Sequence, residues 1–279
     1  YLGTGSPCIG KGVEGRGAFY EKAGALRDMI QSHLLQVMAM VAMEPPNSFH
    51  ADDLRGEQRK LLEAVHPIPL DAVAEWAARG QYAAGDAGGA TLPAYRDEQG
   101  VEPDSQTETY AAIRVMIDNW RWQGVPFYLR TGKAMRRKLT QIVVTFKPTP
   151  HCLFAHVGGG ACPAPNRLVI NVQPDEGISL RFEGKVPGEE MEIRSAVLDF
   201  DYAEHFGGEV AEAYALLLLE AMRGDRALFK DRHEIEAAWR IVEPVLQRWH
   251  ADDRAPMPTY PVGSWGPAEA DALIQPHGR

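Results

Sequence analysis

The sequence predicts an α+β fold: a large, mainly antiparallel or mixed sheet with helices packed on one face, and no complete Rossmann domain. Three observations predict it. A long helical pattern stands near the start of the chain, β-branched runs crowd the middle too closely for helical crossovers, and helical periodicity resumes only near the end.

Each element has its own signal. Residues 1–17 hold six glycines and no apolar period, so they read as a lead-in separate from a domain over 18–279. A helix is predicted over Ala18–Met43, with Leu26, Met29, Ile30, His33, Leu34, Val37 and Val41 on one stripe. Past Leu34 it is apolar almost all round, as a buried helix would be, and Pro45-Pro46 ends it. Ala51–Val65 reads as a more polar helix, Leu70–Arg79 as a short third one, and Gly80–Ser105 as a loop. Strands are predicted over Thr107–Ile117, Phe127–Arg130, Thr140–Phe146, Arg167–Val172, Ile178–Phe182 and Glu190–Phe200. Helices follow over Val210–Arg223, Arg232–His250 and Pro267–Ile274; Asp231 is placed to cap the second, and Pro244 should kink it. No repeat or low-complexity linker divides 18–279, which therefore reads as one domain.

Composition narrows the function classes. The 279 residues are 45% hydrophobic and 24% charged, an ordinary globular balance that excludes a disordered chain. With 29 Lys and Arg against 38 Asp and Glu, the net charge of −9 argues against a nucleic-acid binder, so an anionic ligand needs a local basic cluster. The longest apolar stretch, Leu34–Met43, falls well short of the ~20 residues that span a bilayer, and no membrane association is expected. Cys8, Cys152 and Cys162 lack C-x-x-C spacing, so neither a zinc site nor a disulfide framework is expected, and a reducing cytoplasm fits best. The histidines form no ligand cluster, which predicts no metal.

Three constellations could carry chemistry. Gly10-Lys11-Gly12-Val13-Glu14-Gly15 matches G-x-G-x-x-G but lacks the strand, helix and second strand that aim a pyrophosphate at a helix N-terminus. Asp28 and His33 share the first long helix; in α geometry five residues separate them by about 140° and about 7.5 Å, so they do not touch but could border one cleft. From these residues alone, His33 is either a hydrogen-bonded core histidine or a general base. Arg130–Lys138 packs five basic residues into nine positions after a strand, which reads as an anion site or a solvated basic turn.

Several segments resemble the C-terminal substrate and dimerisation domain of the glucose-6-phosphate dehydrogenase family. They are Glu14-Gly15-Arg16-Gly17, Leu26–Gln36 continuing to Val41-Ala42-Met43-Glu44-Pro45-Pro46, and Trp122–Lys133 with its Gly124-Val125-Pro126-Phe127 core. Leu168–Glu176, Ala238-Trp239-Arg240-Ile241 and Gly263–Asp271 support them. The resemblance implies oxidation of glucose 6-phosphate at C1 to the lactone with reduction of NADP, at the head of the oxidative pentose phosphate pathway. It makes His33 the general base, Asp28 a carboxylate that holds sugar hydroxyls, and Lys133, Lys138 and Gln173 further substrate contacts. Tyr1-Leu2-Gly3 resembles the remnant of a motif whose Tyr binds the phosphate, with Thr4 where that motif has Lys. The coenzyme domain is missing before Ala18, so the chain by itself is expected to bind no NADP and to be inactive. Leu139, Val143 and Asn171 stand where some members have basic residues for a structural NADP, so none is expected. The resemblance also implies a homodimer or higher homo-oligomer. A non-catalytic sugar-phosphate-binding or dimerisation scaffold is the competing reading.

Overall fold

The computed structural model describes residues 2–5, 12–87, 90–152, 162–189, 191–207, 213–252 and 255–274. A strand, β1 (Leu2–Gly5), precedes a helical run in three parts: α1 (Gly17–Ala25), a π-helix (Leu26–Leu34) and α2 (Leu35–Ala42). Gly24, at φ 69° and ψ 164°, breaks the first part from the second in a conformation that side chains with a Cβ rarely adopt. The π segment then closes i→i+5 bonds, such as Leu35 N–H to the Ile30 carbonyl. Its wider turn changes which residues face inward. Leu26, Ile30, Leu34, Met38 and Ala42, every fourth residue, form the buried stripe. Val37 and Val41 are only half-buried and His33 is exposed, although α periodicity put all three on that stripe.

The next helix, α3 (Ala51–Glu63), lies where the sequence places it. The expected helix over Leu70–Arg79 is corrected: a single turn, α4 (Val73–Trp76), gives way to a strand, β2 (Ala77–Tyr82). Pairing decides this against local propensity, because β2 is buried along nearly its whole length. The expected loop over Gly80–Ser105 is corrected too. It holds the end of β2, a hairpin of β3 (Gly85–Ala87) and β4 (Ala90–Leu92), and a 3₁₀ turn at Tyr95–Asp97.

Six longer strands follow as expected, within a few residues: β5 (Tyr110–Val115), β6 (Phe127–Gly132), β7 (Thr140–Thr145), β8 (Arg167–Gln173), β9 (Gly177–Lys185) and β10 (Ile193–Asp201). The remaining elements are α5 (Tyr202–Phe206), α6 (Ala213–Arg223), α7 (Arg232–Ala251), β11 (Thr259–Tyr260) and α8 (Ala268–Ile274). Asp231 caps α7 in a reciprocal box: its carboxylate accepts from Glu234 N–H at 2.8 Å, and the Glu234 carboxylate accepts from Asp231 N–H at 2.8 Å. α7 continues through Pro244 as one helix. No helix among the described residues is long and apolar enough to cross a membrane.

The sequence reading drew no boundary inside 18–279, whereas contacts group the chain into two compact units. One, Leu139–Glu209, is an antiparallel sheet in the order β7-β8-β9-β10. Its β7–β8 connection carries a correction, because Cys152 and Cys162 are joined by a disulfide with Cα atoms 5.5 Å apart. Pairing of Thr145 with Arg167 brings the two ends of that connection together, which cysteine spacing in a sequence does not reveal.

The other unit, Leu2–Lys138 with Val210–Arg279, holds a mixed sheet. In it β1 runs parallel to β6, β5 pairs antiparallel with both β6 and β2, and β11 runs parallel to β2. The π-helix packs on β1, β5, β6 and α7. Four fully buried tyrosines, Tyr82, Tyr95, Tyr110 and Tyr260, anchor this core. Three of them direct their hydroxyls to named partners, as buried phenols must: Tyr82 to Glu98 at 2.9 Å, Tyr95 to Glu21 at 2.8 Å and Tyr260 to the Lys133 carbonyl at 2.8 Å.

Candidate active site

The π-helix carries two of the expected site residues, and its winding changes their relation. The wider turn of i→i+5 bonding brings Asp28 and His33 nearer to one side of the helix than the separation of about 140° in α geometry. Groups from outside hold both ends of this segment. At the start, Leu26 N–H donates to Glu108 Oε1 at 2.9 Å and Ala25 N–H to the Glu108 carbonyl at 2.9 Å. Gly24 makes the approach possible, since a Cβ there would lie 2.6 Å from Glu108 Oε1. Burial raises the Glu108 carboxyl pKa, opposed by the Leu26 N–H bond and the charges of Arg27 and Arg79. Towards the other end, Lys230 Nζ donates to the Ser32 carbonyl, 198 residues away in sequence.

His33 is exposed and is therefore not a core histidine. Its pKa lies below the ordinary histidine value. Partial desolvation is the larger cause, the Lys230 ammonium adds to it, and Asp28 opposes both. The imidazole is thus predominantly neutral near pH 7, the form that accepts a proton.

Lys133 ends the strand side of the site. Its ammonium sits over the Tyr20 ring, 4.9 Å from the centroid, and the side chain is buried. Burial lowers its pKa; Asp28 raises it, Arg16 lowers it and Glu14 raises it. Asp28 is therefore the shared partner, acting on His33, Lys133 and the buried Tyr20 phenol alike.

The backbone at Lys133 is fixed from three directions. Lys133 N–H donates to the Thr109 carbonyl at 2.9 Å, the Tyr260 hydroxyl to the Lys133 carbonyl, and Gly263 N–H to the Ala134 carbonyl at 2.8 Å. Arg136 N–H adds a bond to the Ser264 carbonyl at 3.0 Å. The backbone of the basic turn is thus anchored, with Lys133 buried while Arg136 and Arg137 are exposed to solvent.

The charge of Asp28 bears on both His33 and Lys133. Lys138, half-buried at the end of the same loop, is not among the charges that bear on His33 or Lys133. Gln173 is exposed at the end of β8 in the antiparallel unit, where it pairs with Thr140. Tyr1 lies outside the described residues. Sequence reasoning missed Lys230, Glu108 and Tyr20. Lys230 sits just before the predicted helix without belonging to its pattern, Glu108 falls inside the strand expected over Thr107–Ile117, and Tyr20 reads as one more aromatic of the first helix.

The glycine-rich motif has a packing role at its described end. A Cβ on Gly12 would meet Tyr82 Oη and Glu98 Oε1, both at 2.6 Å, so this glycine admits the Tyr82–Glu98 pair. Among the described residues, no group of three or more His, Cys, Asp or Glu converges as a metal site would require.

Comparison with known proteins is consistent with this geometry. The family described as "Glucose-6-phosphate dehydrogenase, C-terminal domain" matches residues 10–279. A glucose-6-phosphate 1-dehydrogenase of Aggregatibacter actinomycetemcomitans is 47% identical over 277 residues, covering 99% of this chain and 54% of the relative. One from Gluconobacter oxydans is 48% identical over 268 residues, covering 96% and 53%. A solved glucose-6-phosphate dehydrogenase in complex with its substrate glucose 6-phosphate superposes with a TM-score of 0.86 at 33% identity, over all of this chain and 55% of that one. A Mycobacterium avium glucose-6-phosphate 1-dehydrogenase gives 0.81 at 37% identity, over all of this chain and 54% of that one. The chain thus spans about half the length of the relatives it matches.

Proposed function

We propose, given that this chain belongs to the glucose-6-phosphate dehydrogenase family through its C-terminal domain, that it supplies the sugar-phosphate pocket and the base for oxidation of glucose 6-phosphate at C1. The observation that carries the reading is the π-helix, which brings Asp28 and His33 nearer to one side, with the Lys133 ammonium under the influence of Asp28. These residues perform the proton half of the reaction. Asp28 accepts hydrogen bonds from ring hydroxyls and fixes the sugar; a neutral His33 takes the C1 hydroxyl proton as hydride leaves; Lys133 neutralises an anionic oxygen of the substrate. Lys138, Gln173 and Tyr1 are proposed as further substrate contacts on the family resemblance.

A nicotinamide coenzyme, NADP in this reading, would take up the hydride. The described residues do not fit it: Gly12 is occupied by the Tyr82–Glu98 pair, and the Glu98 carboxylate would oppose a pyrophosphate. A homodimer and a cytoplasmic setting belong to the same reading. Val197 and Leu198, 57% and 61% exposed on opposite faces of β10, leave apolar surface on this strand that association would cover.

Calorimetric titration of the chain with glucose 6-phosphate and with glucose tests the pocket. Lys133→Ala should weaken the phosphate ester more than the free sugar, and a chain that binds neither would sink the reading. In a full-length protein, His33→Asn should lower turnover by ~10² to 10⁴ with a smaller effect on substrate affinity.

A further inference from the structure

Lys230 reaches the π-helix from far along the chain, and both of its flanks are fixed. On one side Arg55 of α3 donates from Nε to the Phe229 carbonyl at 2.9 Å, and from its Nη2 to the Arg226 carbonyl at 2.6 Å. On the other side Asp231 and Glu234 close the capping box of α7. Between these anchors Lys230 extends to the carbonyl of Ser32, the residue directly before His33. Anchored flanks fix where the Lys230 side chain begins, so that only its own rotamers remain to be ordered when the ammonium is held at one place. We propose that Lys230 is a positioning residue for His33: its anchored ammonium holds the last π turn through the Ser32 carbonyl and sets a positive charge beside the imidazole. This rests on His33 as the base.

The charges around the imidazole are few. Its own helix supplies Asp28, which favours the protonated ring, and the approach to α7 supplies Lys230, which disfavours it. Glu234 of α7 faces Lys230. Lys133, beyond β6, is balanced against Asp28, and Glu108, before β5, is committed to the opposite end of the helix. Tyr20 of α1 remains a neutral phenol, since burial raises its pKa. β1 and α2, which also pack on the π-helix, contain no titratable residue. A second cation beside a general base removes the need for strict burial to keep the base neutral. His33 can then stay open to substrate and still be ready at neutral pH.

The test is an NMR titration of the imidazole carbons in the 279-residue chain, with His33→Asn identifying the His33 signal among nine histidines. Lys230→Gln keeps a donor for the Ser32 carbonyl and removes the charge; Lys230→Met removes both; Lys230→Arg keeps both. In the Gln and Met variants the His33 midpoint should rise, and its carbethoxylation rate at pH 6 should fall by roughly threefold, while the Arg variant follows the parent. Circular dichroism checks the fold, and Gln decides the matter if Met fails to fold. A Gln variant titrating with the parent, or an Arg variant titrating with Gln, overturns the proposal. Full turnover in a His33→Asn enzyme would instead remove the base assignment and leave the titration result standing.

Discussion

Leu26–Leu34 and Leu35–Ala42 are consecutive stretches of one helical run, yet they are held in opposite ways. α2 is apolar on most sides, closes its own ladder and is secured by Leu35, Met38, Ala39 and Ala42 in the core. The π-helix carries Arg27, Asp28, Gln31, Ser32 and His33, and depends on hydrogen bonds from elsewhere: Glu108 at its start and Lys230 near its end. The wide turn is therefore imposed by tertiary contacts rather than by propensity. The stretch that needs outside support is also the one that gathers the polar side chains of the site.

The sharpest way to break the comparison is at the hinge between α1 and the π-helix. Gly24→Ala should destabilise the chain by about 3 kcal/mol or more, combining a glycine-only backbone conformation with a collision against Glu108. Urea unfolding measures it. The double change with Glu108→Ala should cost less than the sum of the two single changes if the collision is real. Next in size, Leu34→Ala and Met38→Ala remove fully buried side chains from the two segments, and each should cost about 2–5 kcal/mol. Similar losses would show that both segments rest on one core; a much smaller loss at Leu34 would mean that the clamps alone hold the π turn.

A pH series sharpens the comparison further. Glu108 has a folded pKa above its ordinary 4.5, so the folded state keeps a proton that the unfolded state releases. Its contribution is fully present below about pH 4.5 and is lost as pH rises through the folded value. Stability relative to Glu108→Gln should therefore fall across that window. The same pair compared with a substitution on α2, such as Met40→Gln, should show no such slope. The smallest effect is expected at His33: its exposure predicts that His33→Asn changes stability by less than about 0.5 kcal/mol, which thermal unfolding can check.

Much of the architecture was legible because patterns of period two and of three to four survive folding. The strands from β5 to β10, the cap at Asp231 and the short final helix follow from β-branching, turn residues and capping chemistry. β2 was not legible, since Ala77 and Ala78 favour helix locally and become strand only through pairing with Ile113 and Ala112. The π winding was equally hidden. Asp28 and His33 could be named, but α spacing set them apart, and the winding that brings them nearer is visible only once Glu108 and Lys230 are in place. Lys133 stood out by charge density, whereas its contact with Tyr20 joins residues more than a hundred positions apart.

The fixing of Lys133 by Tyr260, Gly263 and Ser264 has a meaning in the order of synthesis. A growing chain has made Asp28, His33 and Lys133 more than a hundred residues before the groups that set the Lys133 turn. Gly266 then closes tightly on Tyr110, where a Cβ would lie 2.4 Å from the ring. The pocket is therefore completed only after Tyr260, Gly263 and Ser264 have been made. A nascent protein holds the residues of the pocket long before it holds their arrangement, and competence arrives in one late step.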